Sequence, residues 1–199
     1  MSAASASSSS PARLKVRVRA AVEEDMPAVQ EIYAHYVLTT SASFEEDAPT
    51  VAEMTARWQK IRAREMPYYV AVHKNRVVGY AYGGPFRERS AYRYTIEDSV
   101  YVAPDMMGRG VGNALMTTLI NRCVALGYRQ MIAVIGDSAN AASIALHSRH
   151  GFAVIGALRS SGFKFGRWSD AVLMQRPLGD GDGTLPARDV LRRKTKRAR

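Results

Sequence analysis

The stretch that decides the fold is Glu97-Asp-Ser-Val-Tyr-Val-Ala-Pro-Asp-Met-Met-Gly-Arg-Gly-Val-Gly112, in which a glycine-rich loop follows a strand-like segment. Valine and tyrosine before Ala103 favour an extended strand. From Val111 to Leu126, apolar residues recur at intervals of three and four, as they do on one face of a helix. We therefore predict a strand, a tight loop and a helix, in this order.

The loop between Gly108 and Gly112 is suited to binding a diphosphate. Glycines let successive backbone N–H groups converge, the start of a helix adds partial positive charge, and Arg109 offers a charge-assisted contact. A Rossmann fingerprint requires a different glycine spacing and an acid about 20 residues later, and a Walker loop requires Gly-Lys-Ser/Thr. Neither is present. The third candidate is an acetyl-coenzyme A loop, in which Met107 stands where Gln or Arg is usual.

The segments on either side of this stretch predict a mixed α/β sheet. Apolar patterns with a period of two, or continuous apolar runs, predict strands at 14–19, 68–72, 76–82, 92–102, 131–135, 152–158 and 171–175. Helical periodicity and capping residues predict helices that begin at Glu23, after Thr50, after Gly110 and at Ala141. No internal repeat interrupts the order.

The composition of the 199 residues indicates one globular domain with polar ends. The Ser/Ala-rich residues 1–13 predict a disordered leader, residues 14–178 a domain, and residues 179–199 a flexible basic tail. Four cations and no acid precede Ala20, and seven cations against three acids follow Leu178, so most of the net charge of +10 lies at the ends. We therefore expect no nucleic-acid partner, except through the tail.

Two further features of the sequence indicate where in the cell the protein is located. The longest apolar runs are too short for a membrane span, so we expect no membrane association. Cys123 is the single cysteine, which excludes an internal disulfide and multi-cysteine zinc sites. We expect the reducing cytoplasm to be the location.

Two segments resemble motifs of the GNAT N-acetyltransferase superfamily. Residues 97–112 are similar to its motif A, and Asn140-Ala-Ala-Ser-Ile-Ala-Leu-His-Ser-Arg-His-Gly-Phe152 is similar to its motif B. The strand 96–102, the pair Leu146-His147, Ser43-Phe-Glu45 and Gly162-Phe-Lys-Phe-Gly-Arg-Trp-Ser-Asp170 resemble the phosphinothricin and methionine sulfoximine acetyltransferase group more narrowly. The likeness covers roughly 16–177.

This resemblance implies an α/β fold with a mixed, mostly antiparallel central sheet flanked by helices. It also implies direct transfer of acetyl from acetyl-CoA to the primary amine of a small amino-acid-like substrate, with detoxification as the outcome. The pantetheine arm is expected along strand 100–102, the diphosphate on the glycine loop, and motif B on the far side. The implied coenzyme-binding residues are Val100, Tyr101, Val102, Gly108, Arg109, Gly110, Val111, Gly112, Asn113, Asn140 and Ser143.

The attacking amine must lose a proton, and a carboxylate in the central strand is the candidate base. Strand parity places Glu97 on one face with Ser99 and Tyr101, and Asp98 on the other with Val100. We expect Glu97 to be the base, with Asp98 as the alternative if a bulge shifts the parity.

Two other groups complete the expected chemistry. A backbone N–H near Val100 suits the acetyl oxygen, and His147 either protonates the leaving thiolate or only packs and hydrogen-bonds. His147 and His150 lack the further ligands that a metal site needs, so no metal is expected.

The remaining candidates concern the acceptor and the oligomer. Five side chains are expected to bind the acceptor, and Arg87 and Arg89 match its carboxylate best: Phe44, Glu45, Arg87, Arg89 and Tyr92. The aromatic hairpin around Phe163, Lys164 and Trp168 either closes the pocket or packs on a second subunit, since the resembling group is generally dimeric. The alternatives are another amine (a protein N-terminus, polyamine or aminoglycoside) and a non-catalytic module that binds CoA or nucleic acid.

Overall fold

Seven strands form one sheet in the computed structural model, which describes residues 14–186. In chain order they are β1 (Arg17–Ala20), β2 (Tyr68–His73), β3 (Arg76–Pro85), β4 (Thr95–Val102), β5 (Gln130–Gly136), β6 (Ala153–Lys164) and β7 (Arg167–Pro177). Their spatial order is β1-β2-β3-β4-β5-β7-β6. Only the β4–β5 pair among these strands is parallel, so the mixed, mostly antiparallel sheet expected from the sequence is confirmed.

Four helices cover the sheet: α1 (Met26–Thr39), α2 (Val51–Ala63), α3 (Val111–Ala125) and α4 (Ala141–Arg149). The first turn of α2 shows why it begins where it does. Thr50 Oγ1 accepts from the Glu53 amide at 3.2 Å, and the Glu53 carboxylate accepts from the Thr50 amide at 2.6 Å. This reciprocal capping satisfies two amides that have no partner within the helix.

The sheet separates two cores, and β4 contributes to both. Ile96, Val100 and Val102 pack on the side of α3 and α4, whereas Tyr101 packs on the side of α1 and α2. The register between β3 and β4 runs without a shift from Val102 to Ile96. The predicted alternation of side chains along β4 is therefore confirmed, and Glu97 and Asp98 lie on opposite faces.

Tyrosines dominate the core under α1 and α2. Tyr68, Tyr80 and Tyr82 stack with interplanar angles of 8° or less, and Tyr101 continues the row with its ring centroid 5.2 Å from that of Tyr80. Tyr33 of α1 meets Tyr101 edge to face. This layer forms an aromatic wall on the face of the sheet that carries Glu97.

The last hairpin is longer than the sequence predicted. Instead of two strands at 152–158 and 171–175, β6 and β7 pair as far as Lys164 and Arg167, and the turn is made by Phe165 and Gly166, both at positive φ. A bulge between Leu158 and Gly162 interrupts the alternation on which the prediction depended. Because of this bulge, the sequence pattern did not predict the outer half of the hairpin.

The ends of the chain are only partly described. The predicted leader (1–13) and most of the predicted tail (187–199) lie outside the described residues, and nucleic-acid binding through the tail stays a prediction. Residues 179–186 lie against the domain, because the Arg129 guanidinium donates to Gly181 O, Thr184 Oγ1 and Leu185 O at 3.3, 3.0 and 3.4 Å. None of the helices within 14–186 combines the length and apolar character needed to cross a membrane.

Candidate active site

A cleft opens in the middle of the sheet, where β4 and β5 separate. The two strands pair in parallel only from Thr95 to Asp98, whereas β4 stays paired with β3 as far as Val102. The edge of β4 from Ser99 to Val102 that faces β5 therefore lacks a partner strand within 14–186. An extended chain bound there would add main-chain hydrogen bonds as a further strand does.

The cleft has a volume of about 450 Å³ and is lined by β4, β5, the glycine loop and α4. Ten of the eleven predicted coenzyme-binding residues line it: Val100, Tyr101, Val102, Gly108, Gly110, Val111, Gly112, Asn113, Asn140 and Ser143. Arg109 is the exception, and its carbonyl instead accepts from the Leu14 amide at 3.0 Å. Its phosphate contact stays a prediction.

The sequence reasoning missed several lining residues, among them Tyr36, Ala42 and Arg149. Tyr36 of α1 donates to the Val102 carbonyl at 2.6 Å, Ala42 follows α1, and Arg149 is in the last turn of α4. Arg149 had a usable signal, because it is a cation on the same helix as Asn140 and Ser143. Tyr36 and Ala42 reach the cleft only through tertiary packing, which no local pattern reports.

The glycine loop has the geometry that a diphosphate requires. Gly108 and Gly110 have φ of 72° and 89°, and Gly110 is the N-cap of α3. A Cβ on Gly112 would lie 3.1 Å from Leu146, so α3 and α4 approach closely there. Positive φ at a helix start points consecutive amides outward, and together with the helix dipole this favours an anion. The residues of the cleft therefore fit acetyl-CoA.

Glu97 has the electrostatic environment expected of a general base. Burial raises the pKa of Glu97 to about 6, the Asp98 charge acts in the same direction, and Arg87 partly opposes them. Glu97 does not line the coenzyme cleft; it lies on the α1/α2 face of β4, with Ser99 and Tyr101. An amine that approaches from that face can meet both Glu97 and the open edge of β4.

Asp98 and His147 form a buried pair on the opposite face. His147 Nε2 donates to Asp98 Oδ2 at 3.0 Å, and His147 Nδ1 donates to the Ser143 carbonyl at 2.8 Å. Burial lowers the pKa of His147, but the Asp98 carboxylate and the Ser143 carbonyl more than compensate, so the pKa is raised. Because both ring nitrogens are engaged, the geometry favours packing and hydrogen bonding over proton donation to a thiolate.

None of the five predicted acceptor residues lines the coenzyme cleft. Glu45 is held by Arg57 at 2.7 Å and by the Tyr33 hydroxyl at 2.9 Å, and the Phe44 ring lies against Gly162. The Arg87 guanidinium stacks 5.1 Å from the Phe86 ring, and Tyr92 meets the same ring edge to face. Arg89 is exposed at the start of the short 3-10 turn of residues 90–92.

The side chains on the two faces of the hairpin tip differ in their exposure to solvent. Phe163 and Trp168 are 56% and 63% exposed and contact each other, whereas Lys164 is 2% exposed. Phe165 in the turn is also exposed. Within 14–186, no group of three or more His, Cys, Asp or Glu side chains is placed to hold a metal ion.

The comparison with protein families supports the interpretation of the cleft as an acetyl-CoA site. The profile of the acetyltransferase (GNAT) domain matches residues 18–173. The chain therefore belongs to the GNAT acetyltransferase family, and it is an acetyl-CoA-dependent transferase. The predicted resemblance is confirmed, including its narrower group.

Three relatives show how close the likeness is. The chain is 54% identical to a phosphinothricin N-acetyltransferase of Alcaligenes faecalis over 88% of this chain and 89% of that one. It is 37% identical to an L-methionine sulfoximine/L-methionine sulfone acetyltransferase of Salmonella typhimurium, over 82% and 95%. A crystal structure of a GNAT superfamily phosphinothricin acetyltransferase from Sinorhizobium meliloti in complex with AcCoA superposes with a TM-score of 0.85, at 46% identity over 87% and 94%.

Proposed function

We propose that this enzyme N-acetylates small amino-acid-like amines of the phosphinothricin and methionine sulfoximine type. The observation that carries the proposal is the placement of Glu97, which lies beside the open edge of β4 but on the face opposite the coenzyme helices. The activities for which the relatives are named support the same acceptor class. Two substrates that approach one strand from opposite sides can react directly, without a covalent enzyme intermediate.

Acetyl-CoA supplies the acetyl group as a thioester. The cleft residues hold it, and Gly108 to Asn113 are expected to bind its diphosphate. Glu97 takes the proton from the acceptor ammonium, directly or through one water, because its pKa of about 6 leaves it ionised near neutral pH while still basic. The Val100 amide is expected to donate to the acetyl oxygen.

In this proposal Asp98 and His147 act indirectly, by influencing the pKa of Glu97. The hydrogen bond from His147 fixes the Asp98 carboxyl, and the Asp98 charge helps to raise the pKa of Glu97. His147 is then a positioning residue, although it lines the cleft where a thiolate leaves. Its role as the proton donor to that thiolate is the competing proposal.

The acceptor is expected on the face of Glu97, where Arg87 is already close enough to affect the pKa of Glu97. A guanidinium binds a carboxylate through two parallel hydrogen bonds. Arg87, with Arg89 on the same loop, therefore suits the carboxylate of an amino acid, and Phe44, Glu45 and Tyr92 complete the proposed site.

We further propose a homodimer that forms through the exposed aromatic hairpin. Phe163, Phe165 and Trp168 expose large apolar surface on one element, and such patches mark association sites on soluble proteins. A role in detoxification and a cytoplasmic location are part of the same proposal, and the single, buried Cys123 is compatible with that location.

The acceptor class is tested by measuring free thiol released from acetyl-CoA against a panel of amines. The panel contains phosphinothricin, methionine sulfoximine, methionine sulfone, spermidine, an aminoglycoside and a peptide with a free N-terminus. We expect the three amino-acid analogues to have the highest kcat/KM. A higher value for a polyamine, aminoglycoside or peptide would contradict the acceptor class but retain the coenzyme chemistry.

A further inference from the structure

The segment between α1 and α2 forms a partition between the two substrate sites. Ala42 lines the coenzyme cleft, whereas Phe44 and Glu45, two and three residues later, belong to the proposed acceptor site. Residues 40–45 adopt neither helix nor strand. Their carbonyls therefore depend on partners elsewhere, because buried backbone acceptors are normally hydrogen-bonded.

Lys164 of the β6–β7 hairpin supplies those partners. Its Nζ donates to the carbonyls of Val37, Thr40 and Ser43 at 2.6, 3.0 and 2.8 Å. A carbonyl only accepts, so the three bonds use all three N–H groups of an ammonium. The cation also lies at the C-terminal end of α1, where the helix dipole favours positive charge.

Two further contacts join the hairpin to the same segment. Arg167 donates to Ser41 Oγ at 3.1 Å and to the Asp137 carboxylate, which follows β5. Gly162 lies so close to the ring of Phe44 that a Cβ there would be 2.7 Å from it. The hairpin thus contacts four residues of the segment, which are Thr40, Ser41, Ser43 and Phe44.

We infer that Lys164 is a positioning residue, which sets the acceptor-side segment 40–45 in register with the coenzyme cleft. This inference rests on the proposed function, in which Phe44 and Glu45 contact the acceptor. The coenzyme is held mainly by β4 and the glycine loop, which Lys164 does not contact. Loss of the lysine therefore displaces the acceptor site more than the coenzyme site, and small displacements of a reacting group reduce the rate strongly.

The first test separates acceptor binding from coenzyme binding. Lys164→Met removes the three donors and keeps an unbranched side chain, Lys164→Arg keeps charge and donors, and Lys60→Met on the exposed face of α2 is the matched control. We expect Lys164→Met to raise the KM for phosphinothricin roughly tenfold or more, since bonds to charged groups are the stronger ones. The Kd for acetyl-CoA, from calorimetry, should stay within about twofold, Lys164→Arg should recover part of the loss, and Lys60→Met should match the wild type.

The second test displaces the same segment without touching the lysine. Gly162→Ala pushes against the Phe44 ring and should give the same separation of KM from Kd. Hydrogen–deuterium exchange of residues 37–45 should be faster in Lys164→Met than in Lys60→Met. This readout is independent of the acceptor, so it decides the inference even if the wild type acetylates none of the amino-acid analogues, a result that would overturn the proposed function alone.

Three results would overturn the inference. They are equal losses for acceptor and coenzyme in the Lys164 and Gly162 variants, unchanged kinetics in both, or unchanged exchange of residues 37–45. If Lys164→Met fails to fold, Lys164→Arg and Gly162→Ala carry the same comparison.

Discussion

His147 Nε2 lies 3.0 Å from Asp98 Oδ2, and this buried pair occupies the face of β4 opposite to Glu97. The pairing gives two adjacent carboxylates different surroundings. Asp98 is hydrogen-bonded to His147, whereas Glu97 is half-buried, and burial together with the Asp98 charge raises its pKa. A carboxyl whose pKa is raised by burial and by a neighbouring negative charge is typical of acid–base sites.

Replacing Glu97 by glutamine should remove the base and keep the size of the side chain. We expect kcat to fall by roughly a hundredfold or more, the usual contribution of a positioned base, while the Kd for acetyl-CoA changes little. Stopped thiol-release assays and calorimetry measure the two quantities. Glu24→Gln, at an exposed position before α1, is the matched control. Equal losses in kcat and in coenzyme affinity would show that Glu97 is structural.

The pH profile should report the raised pKa of Glu97. The base works only when ionised, so kcat at saturating substrates should decline as the pH falls through about 6. In Asp98→Asn the neighbouring negative charge is lost, so the pKa of Glu97 falls and the midpoint of the decline moves to lower pH. A midpoint that stays in place would mean that the decline belongs to another group.

Arg87→Ala should discriminate among acceptors. We expect the KM to rise roughly tenfold or more for amines that carry a carboxylate, as for other losses of a charge-assisted pair. The KM for amines without a carboxylate should not change. Arg122→Ala, at an exposed position on α3, serves as control. An indiscriminate loss across the panel would remove the role assigned to Arg87.

Trp168→Glu should weaken the proposed dimer. Trp168 is 63% exposed in the single chain, and a charge there would be buried without a partner at a subunit interface. Sedimentation velocity should show a wild-type dimer and a predominantly monomeric variant. A monomeric wild type, or a variant that sediments as the wild type does, would contradict the assignment of the interface.

Local patterns in the sequence predicted most of the sheet and the glycine loop that precedes α3. The alternation of side chains along β4 assigned Glu97 and Asp98 correctly to opposite faces, because β4 contains no bulge. The glycines at 108 and 110 indicated a tight loop, and both adopt the positive φ that such a loop requires. The prediction for β6 was incomplete for the opposite reason. Ser160 at positive φ lies in a bulge that disrupts the period of two.

Contacts between distant residues could not be predicted in this way. Asp98 and His147 are 49 residues apart, and Lys164 reaches carbonyls more than 120 residues earlier in the chain. The role of Glu45 in binding the acceptor stays a prediction, and its ion pair with Arg57 of α2 becomes visible only once the helices are packed. Sequence patterns report secondary structure and exposed faces, whereas the pairing of such side chains is set by the tertiary fold.

The most direct test is a crystal structure of the enzyme with coenzyme A and N-acetylphosphinothricin. We expect the pantetheine arm along Ser99 to Val102, the diphosphate at the amides of residues 108–113, and the product nitrogen within hydrogen-bonding distance of Glu97 or joined to it by one water. A product bound on the Asp98 face, or a coenzyme outside the opening between β4 and β5, would contradict the account.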